Sequence, residues 1–202
     1  MKGLLILISG PAGSGKSSML DHVFHGPYQT SFTFSISYTT RSPRPGEIDG
    51  VHYNFITEEQ FQKYLDENAF IEHTEYCGAR YGTLRKDVTK LMDSGKHVIL
   101  ELDINGIKNV EAQYPEAVSI MILPPSFTQQ EQRLRDRGTE PEEKIRMRLE
   151  HTKEDLANIS KFDYVLYNYE SEQCAEHFIY IVIAENSKVS RDPNIARRYF
   201  SL

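Results

Sequence analysis

Cysteine is scarce: the 202-residue chain has only Cys77 and Cys174, far apart and without C-x-x-C spacing. That argues against a disulfide framework and a cysteine-built zinc site, and reads as two free thiols in a reducing compartment. Long apolar runs are missing too, since none reaches the roughly 20 residues that a membrane-crossing helix needs. The opening Met1-Lys2-Gly3 and the short run Leu4-Leu5-Ile6-Leu7-Ile8-Ser9 are too brief for a signal peptide and read better as a first strand. Positive charge is in deficit. Lys and Arg number 23 against 29 Asp and Glu, and the net charge of -6 argues against a nucleic-acid partner, whose phosphates demand a positive field. A nucleotide enzyme has no such need, because a few local cations suffice. Repeats and low-complexity segments are absent, and none of the seven histidines sits in a general-base pattern. His73, beside Glu72, comes nearest and reads as packing or surface. A mass of 23.3 kDa is short for two full domains. A cytoplasmic enzyme with one core, no membrane and no nucleic acid is expected; a homo-oligomer is as compatible with the chain as a monomer.

What is present concentrates first in Gly10-Pro11-Ala12-Gly13-Ser14-Gly15-Lys16-Ser17, which fits G-x-x-x-x-G-K-[ST]. An apolar strand precedes it, and Ser18-Met19-Leu20-Asp21-His22-Val23-Phe24 can start a helix. That context separates a phosphate site from a mere Gly/Ser-rich turn. Glycines let the backbone curl so that successive N–H groups point inward, and the helix N-terminus adds partial positive charge. Residues 10–18 are therefore the expected ATP-phosphate cradle, with Lys16 on the outer phosphates and the Ser17 hydroxyl on Mg²⁺.

Further buried strands are predicted at His97–Leu102, Val118–Leu123 and Tyr164–Tyr167, with helices at Leu84–Met92, Ile107–Ala112, Phe127–Arg135, Glu142–Ile159 and Ser171–Ala184. Such alternation implies an α/β fold with a mainly parallel sheet flanked by helices, whose ligands gather beyond the carboxyl ends of the strands. Gly15 and Asp103 fall there. The segment 32–83 is different: rich in Thr, Tyr, Phe, Pro and Gly, with short alternating runs such as Val51–Phe55 and one helical piece, Glu58–Asp66. It reads as a small β-rich insertion into a core of 1–31, 84–126 and 160–190. A lid region, 127–159, contains the break Arg137-Gly138-Thr139-Glu140-Pro141; Thr139 with Glu142 resembles a capping box, and Pro141 suits a first helical turn. The polar tail from Arg191 is expected to be poorly ordered.

Three clusters bear on the phosphoryl acceptor. In Ser35-Ile36-Ser37-Tyr38-Thr39-Thr40-Arg41-Ser42-Pro43-Arg44-Pro45-Gly46-Glu47, two arginines stiffened by prolines and followed by Tyr53 can clamp a phosphate monoester, although a solvated basic loop is the commoner meaning of such spacing. Phe70-Ile71-Glu72 with Tyr81-Gly82-Thr83 forms the second. The third is Glu101-Leu102-Asp103-Ile104-Asn105-Gly106, acidic residues at the end of a buried strand.

Together, S-x-S-x-T-T-R-x-P-R-x-G-E, F-I-E and Y-G-T, in this order after the P-loop, resemble guanylate kinases, P-loop nucleotide kinases that phosphorylate GMP from ATP. The resemblance runs from the P-loop to Asn168. It implies that Arg41, Arg44, Tyr53 and Tyr81 grip the GMP phosphate, while Ser37, Glu72, Thr83 and Asp103 read the guanine side. It places Arg137 and Arg148 on the moving phosphoryl group together with Lys16 and Arg44, and Asn168 near the adenine. ATP and GMP or dGMP are the implied substrates and Mg²⁺ the cofactor, with Glu101 ordering its water shell. The residue types suit the base: guanine offers two adjacent donors beside an acceptor, and one good bidentate contact discriminates by about 1–3 kcal/mol. The chain departs from the family at Glu101 (commonly Asp), Arg80 (often aromatic, here adding charge near the GMP phosphate), Asn105 (usually Gln) and Tyr169 (frequently acidic). Arg133, Arg135 and Arg146 read as surface charges. Asp103-Ile104-Asn105-Gly106 spells the D-x-x-G of a regulatory GTPase, but no N-K-x-D accompanies it. An intact P-loop argues against a non-catalytic interaction module, and Glu72 with Ser37 against a sugar-phosphate kinase.

Overall fold

The computed structural model describes residues 2–76, 78–138 and 141–200. Cys77, and Thr139 as the start of a capping box, lie outside the described residues. The elements run β1 (Leu5–Ser9), α1 (Lys16–His25), β2 (Phe32–Phe34), β3 (Tyr38–Thr39), β4 (Asn54–Phe55), α2 (Glu58–Asp66), β5 (Phe70–Tyr76), β6 (Ala79–Leu84) and α3 (Arg85–Asp93). There follow β7 (His97–Glu101), α4 (Ile104–Glu111), β8 (Val118–Leu123), α5 (Phe127–Asp136), α6 (Glu142–Ala157), β9 (Tyr164–Tyr167), α7 (Ser171–Asn186) and α8 (Ile195–Phe200). No helix among the described residues is long and apolar enough to cross a membrane.

Strands β2, β7, β1, β8 and β9, in that order, form a wholly parallel sheet. Every residue of β1 and β8 is buried, as expected for central strands covered on both faces. The period of two divides them. Leu4, Ile6 and Ile8 face one core with Met19 and Val23 of α1 and Phe178 and Val182 of α7. Leu5 and Leu7 face the other, with Val88 and Met92 of α3 and Ile107 and Val110 of α4. The expected α/β architecture is thus present.

A second sheet, ordered β4-β3-β6-β5, is built on antiparallel β3–β6 and β5–β6 pairs and encloses its own small core of Phe61, Phe70 and Leu84. Helix α2 opens with a capping box between Thr57 and Gln60. It ends on Asn68 at φ 48°, whose N–H bonds the Leu65 carbonyl while that of Ala69 bonds Tyr64, which closes the helix.

The structure corrects several boundaries. Phe32–Phe34, expected within the insertion, pairs with β7 as the edge of the parallel sheet; a three-residue alternating run carries no signal for which sheet it joins. Of Val51–Phe55 only Asn54–Phe55 is strand. Helix α4 begins three residues before the expected Ile107 because the Asp103 carboxylate caps it, accepting from the Gly106 N–H at 2.7 Å. Pro141 stands at the N-cap of α6 rather than inside its first turn, and the tail contains α8.

The core gives a direct stability test. Phe178 is fully buried with its ring 5.7 Å from that of Phe32, so Phe178→Ala should cost about 3–5 kcal/mol in a urea titration.

Candidate active site

The phosphate loop bridges β1 and α1, and its glycines are forced by close neighbours. A Cβ on Gly10 would lie 2.2 Å from the Ile122 carbonyl oxygen of β8. Gly15 has φ +83°, and a Cβ there would lie 2.4 Å from the Asn168 amide nitrogen. The outward carbonyls of the loop are taken up one after another. Lys16 Nζ donates to Gly10 at 2.5 Å and to Pro11 at 3.4 Å. Gln130 Nε2 donates to Ala12 at 2.8 Å, Arg133 to Ser14 at 3.5 Å, and Asn168 Nδ2 to Gly15 at 3.0 Å. The Ser17 and Ser18 side chains at the start of α1 are exposed.

Lys16, the first residue of α1, has Glu101 Oε1 3.7 Å away. Burial is the main cause of its lowered pKa; Glu101 and Asp155 oppose the shift and Arg137 adds to it. Arg137, the C-cap of α5, is therefore within electrostatic reach of the P-loop lysine, while Arg148 lies half-buried in α6. Asp155 was not expected. It sits in the last turns of α6, its carboxyl raised mainly by burial, with His151 and Lys16 holding it down and Glu154 and Asp103 pushing it up.

The insertion brings the expected acceptor residues together. Glu72 of β5 is opposite Thr83 of β6 in the antiparallel register. Thr83 Oγ1 donates to Glu72 Oε1 at 2.8 Å, and Ser37 Oγ lies 3.2 Å from Thr83 Oγ1. Because the Thr83 proton is committed to the carboxylate, Ser37 is the donor, and the chain runs Ser37→Thr83→Glu72. These three residues, with Tyr53, Glu101 and Leu102, help line a cavity of ≈ 330 Å³, within the usual range for a small-molecule site. Burial raises the Glu72 pKa, with Asp103 adding to the shift and the Thr83 hydrogen bond opposing it. Asp103 thus faces Glu72 electrostatically even though its Oδ1 caps α4.

Beside this chain lies the arginine cluster. Arg41 makes a bidentate pair with Glu47 at 2.8 and 2.9 Å, sits 5.4 Å from the Tyr53 ring centroid, and lies within electrostatic reach of the Tyr81 hydroxyl. The Arg44 backbone N–H also donates to Glu47, at 2.6 Å, and its side chain is exposed. Glu47 therefore sets the fork of Arg41 and the turn that carries Arg44.

Two expectations are corrected. Arg80 turns away from this cluster to Gln62 at 3.0 Å and Glu58 at 3.5 Å on α2, so its charge is balanced there. Arg133 is no surface charge: it binds the Ser14 and Asn168 carbonyls, the latter at 2.9 Å. Asn168, expected near the adenine, is 1% exposed and donates from its amide to the Gly15 carbonyl of the P-loop. Arg135 does lie at the surface, paired with Glu131 and Glu142 across the α5–α6 break.

The family model described as guanylate kinase matches residues 2–185. The chain is 39% identical to the guanylate kinase of Desulfitobacterium hafniense over 96% of both chains. It is 41% identical to that of Halalkalibacterium halodurans over 94% of this chain and 92% of the relative. Among solved structures, guanylate kinase from Anaplasma phagocytophilum superposes with a TM-score of 0.69 at 28% identity, covering 93% of this chain and 88% of the other.

The Glu47 contact can be checked without any ligand. The Arg41 hydrogen bonds, joined by the Arg44 N–H, lower its pKa from 4.5 to about 2. A carboxylate depressed in this way adds stability above its unfolded pKa that is lost as pH falls toward the folded one. Carboxyl-carbon NMR should show Glu47 titrating near 2, and Arg41→Ala should return it to the ordinary carboxylate range.

Proposed function

We infer the roles of these residues from one premise: the chain belongs to the guanylate kinase family and transfers a phosphoryl group from ATP to GMP, giving ADP and GDP. The acceptor is a phosphate monoester with a second pKa of about 6, so near neutral pH it already carries a nucleophilic oxygen. No side-chain base is needed. The obstacle is repulsion between two polyanions, and the protein's contribution is alignment and placed positive charge.

In our reading, the N–H groups of residues 10–18 and Lys16 hold the ATP phosphates. Arg41, Arg44, Tyr53 and Tyr81 hold the GMP phosphate, supported by the way Glu47 and the two rings gather around Arg41. Arg137 and Arg148 approach the moving phosphoryl group from α5 and α6, and Arg44 from the acceptor side. Closure of these helices excludes water and limits wasteful hydrolysis. Asn168 supports the donor site from behind, through Gly15.

The donor set fits Mg²⁺, which keeps most of its waters and needs few protein oxygens. Ser17 offers an exposed hydroxyl, Glu101 an exposed carboxylate 3.7 Å from Lys16, and no cluster of three or more His, Cys, Asp or Glu among the described residues competes for it. Ser17 would hold the ion, with Glu101 on its water shell, and the charge supplied there would neutralise the ATP phosphates.

The observation that carries the acceptor assignment is the Ser37→Thr83→Glu72 chain, which ends in a carboxylate inside a cavity. Glu72 accepts from guanine N1–H and the 2-amino group, and Asp103 adds negative charge on the same side. Adenine would set a lone pair against the carboxylate, a mismatch that an enclosed polar site rejects strongly. None of the assigned readers is needed for the 2′-hydroxyl, so dGMP is included as an acceptor.

Lys16→Ala should abolish transfer while leaving the circular dichroism spectrum unchanged; near-normal turnover would contradict the P-loop role. Glu72 accepts from both guanine donors only when ionised, and its pKa is raised above 4.5. GMP affinity should therefore fall with acidification sooner than for an ordinary glutamate. The ratio of wild-type to Glu72→Gln affinity, from calorimetry across pH, cancels the titration of the GMP phosphate. It should shrink toward acid; a flat ratio would remove Glu72 from base recognition.

A further inference from the structure

Behind the P-loop lies a side chain that the mechanism has not used. Gln130, in α5, is 0% exposed. Its Nε2 donates to the Ala12 carbonyl at 2.8 Å and to Thr152 Oγ1 of α6 at 2.7 Å. Thr152, also buried, donates its own proton to the Arg148 carbonyl one turn earlier, at 3.0 Å. Chemistry fixes the amide's orientation: a carbonyl only accepts, and the threonine proton is committed elsewhere, so both must face N–H.

The arrangement has a cost, because Gln130 Oε1 is buried with no hydrogen-bond partner among the described residues. A methionine of similar size would fill the space without that orphan. The amide is thus retained for its two donors, which join elements 118 and 22 residues away. Packing follows the same path: Leu134 of α5, Ile145 and Leu149 of α6 and Ala12 of the loop form one apolar cluster. A Cβ on Gly13 would come within 3.2 Å of the Gln130 carbonyl oxygen, so α5 lies directly against the loop.

We infer that Gln130 is a positioning residue for phosphoryl transfer, fixing the P-loop at Ala12 and, through Thr152, the turn of α6 that carries Arg148. Loop and lid arginine are thereby held in one register. The inference rests on the reading of Arg148 as a catalytic arginine.

The test uses Gln130→Met, Thr152→Val, Thr152→Ser and Arg148→Ala in the full chain, with thermal melts recorded beside steady-state kinetics. Gln130→Met and Thr152→Val should each lower kcat roughly five- to tenfold, the worth of one hydrogen bond expressed in the transition state. The KM for GMP should stay unchanged, and Thr152→Ser, which keeps the hydroxyl, should recover most of the loss. In an Arg148→Ala background, Thr152→Val should add little further loss, since its effect passes through that arginine. A lower melting temperature with wild-type kcat in Gln130→Met would make the amide a structural brace alone and overturn the inference. Full multiplication of the Thr152→Val and Arg148→Ala losses would overturn it as well. Wild-type kcat in Arg148→Ala itself would remove the arginine's role, and the inference with it. An impaired Arg148→Ala beside an unimpaired Gln130→Met removes only the inference.

Discussion

A loop can aim its N–H groups at a phosphate only if its carbonyls are turned the other way and satisfied there. In this chain that requirement organises the site. The carbonyls of Gly10 and Pro11 are taken by Lys16, that of Ala12 by Gln130, that of Ser14 by Arg133 and that of Gly15 by Asn168. The supports come from α1, from α5 and from the end of β9. The P-loop is therefore a joint where the parallel sheet and the α5–α6 pair meet, and the residues assigned to the donor, to the transferred group and to the lid inherit their positions from it.

The second constraint is charge. With a net charge of -6 the molecule is repulsive to its own substrates at long range, so positive potential has to be local. The cleft segregates it. Arg41 and Arg44 gather on one side around Glu47, and Lys16 and Arg137 lie on the other. Carboxylates accompany them: the charge of Asp103 raises the pKa of both Glu72 and Asp155. Carboxylates so near a site for polyanions would be a liability unless they face something that donates hydrogen bonds. A guanine edge does so, which is why the negative side of the cleft and the identity of the acceptor base belong to one explanation.

Much of this was legible in the sequence because the requirement fell on the residue itself. Gly10 and Gly15 must be glycines where a carbonyl or an amide crowds the backbone, and a glycine-rich string before a helix declares this. The Ser37, Glu72 and Thr83 set was legible only through its motif, since nothing in their separate positions says that two strands and a loop will bring them into one hydrogen-bonded chain. What sequence reading missed depends on pairings made at long range. Gln130 and Arg133 look like ordinary members of a polar helix, yet their partners in the P-loop lie 118 and 119 residues away. Asp155 sits among the charges of α6 with no local mark that it turns toward Lys16. Phe32–Phe34 joins the parallel sheet because β7 offers a free edge, a fact about its neighbour rather than about itself.

The central claim is spatial: one nucleotide is held at the P-loop and the other is read by its purine edge in the insertion. A crystal structure with GMP and a non-hydrolysable ATP analogue tests it most directly. The account predicts the monophosphate at Arg41, Tyr53 and Tyr81, with guanine N1 and the 2-amino group within hydrogen-bonding distance of the Glu72 carboxylate. A GMP whose base lies elsewhere, with Glu72 still bonded only to Thr83, would contradict it.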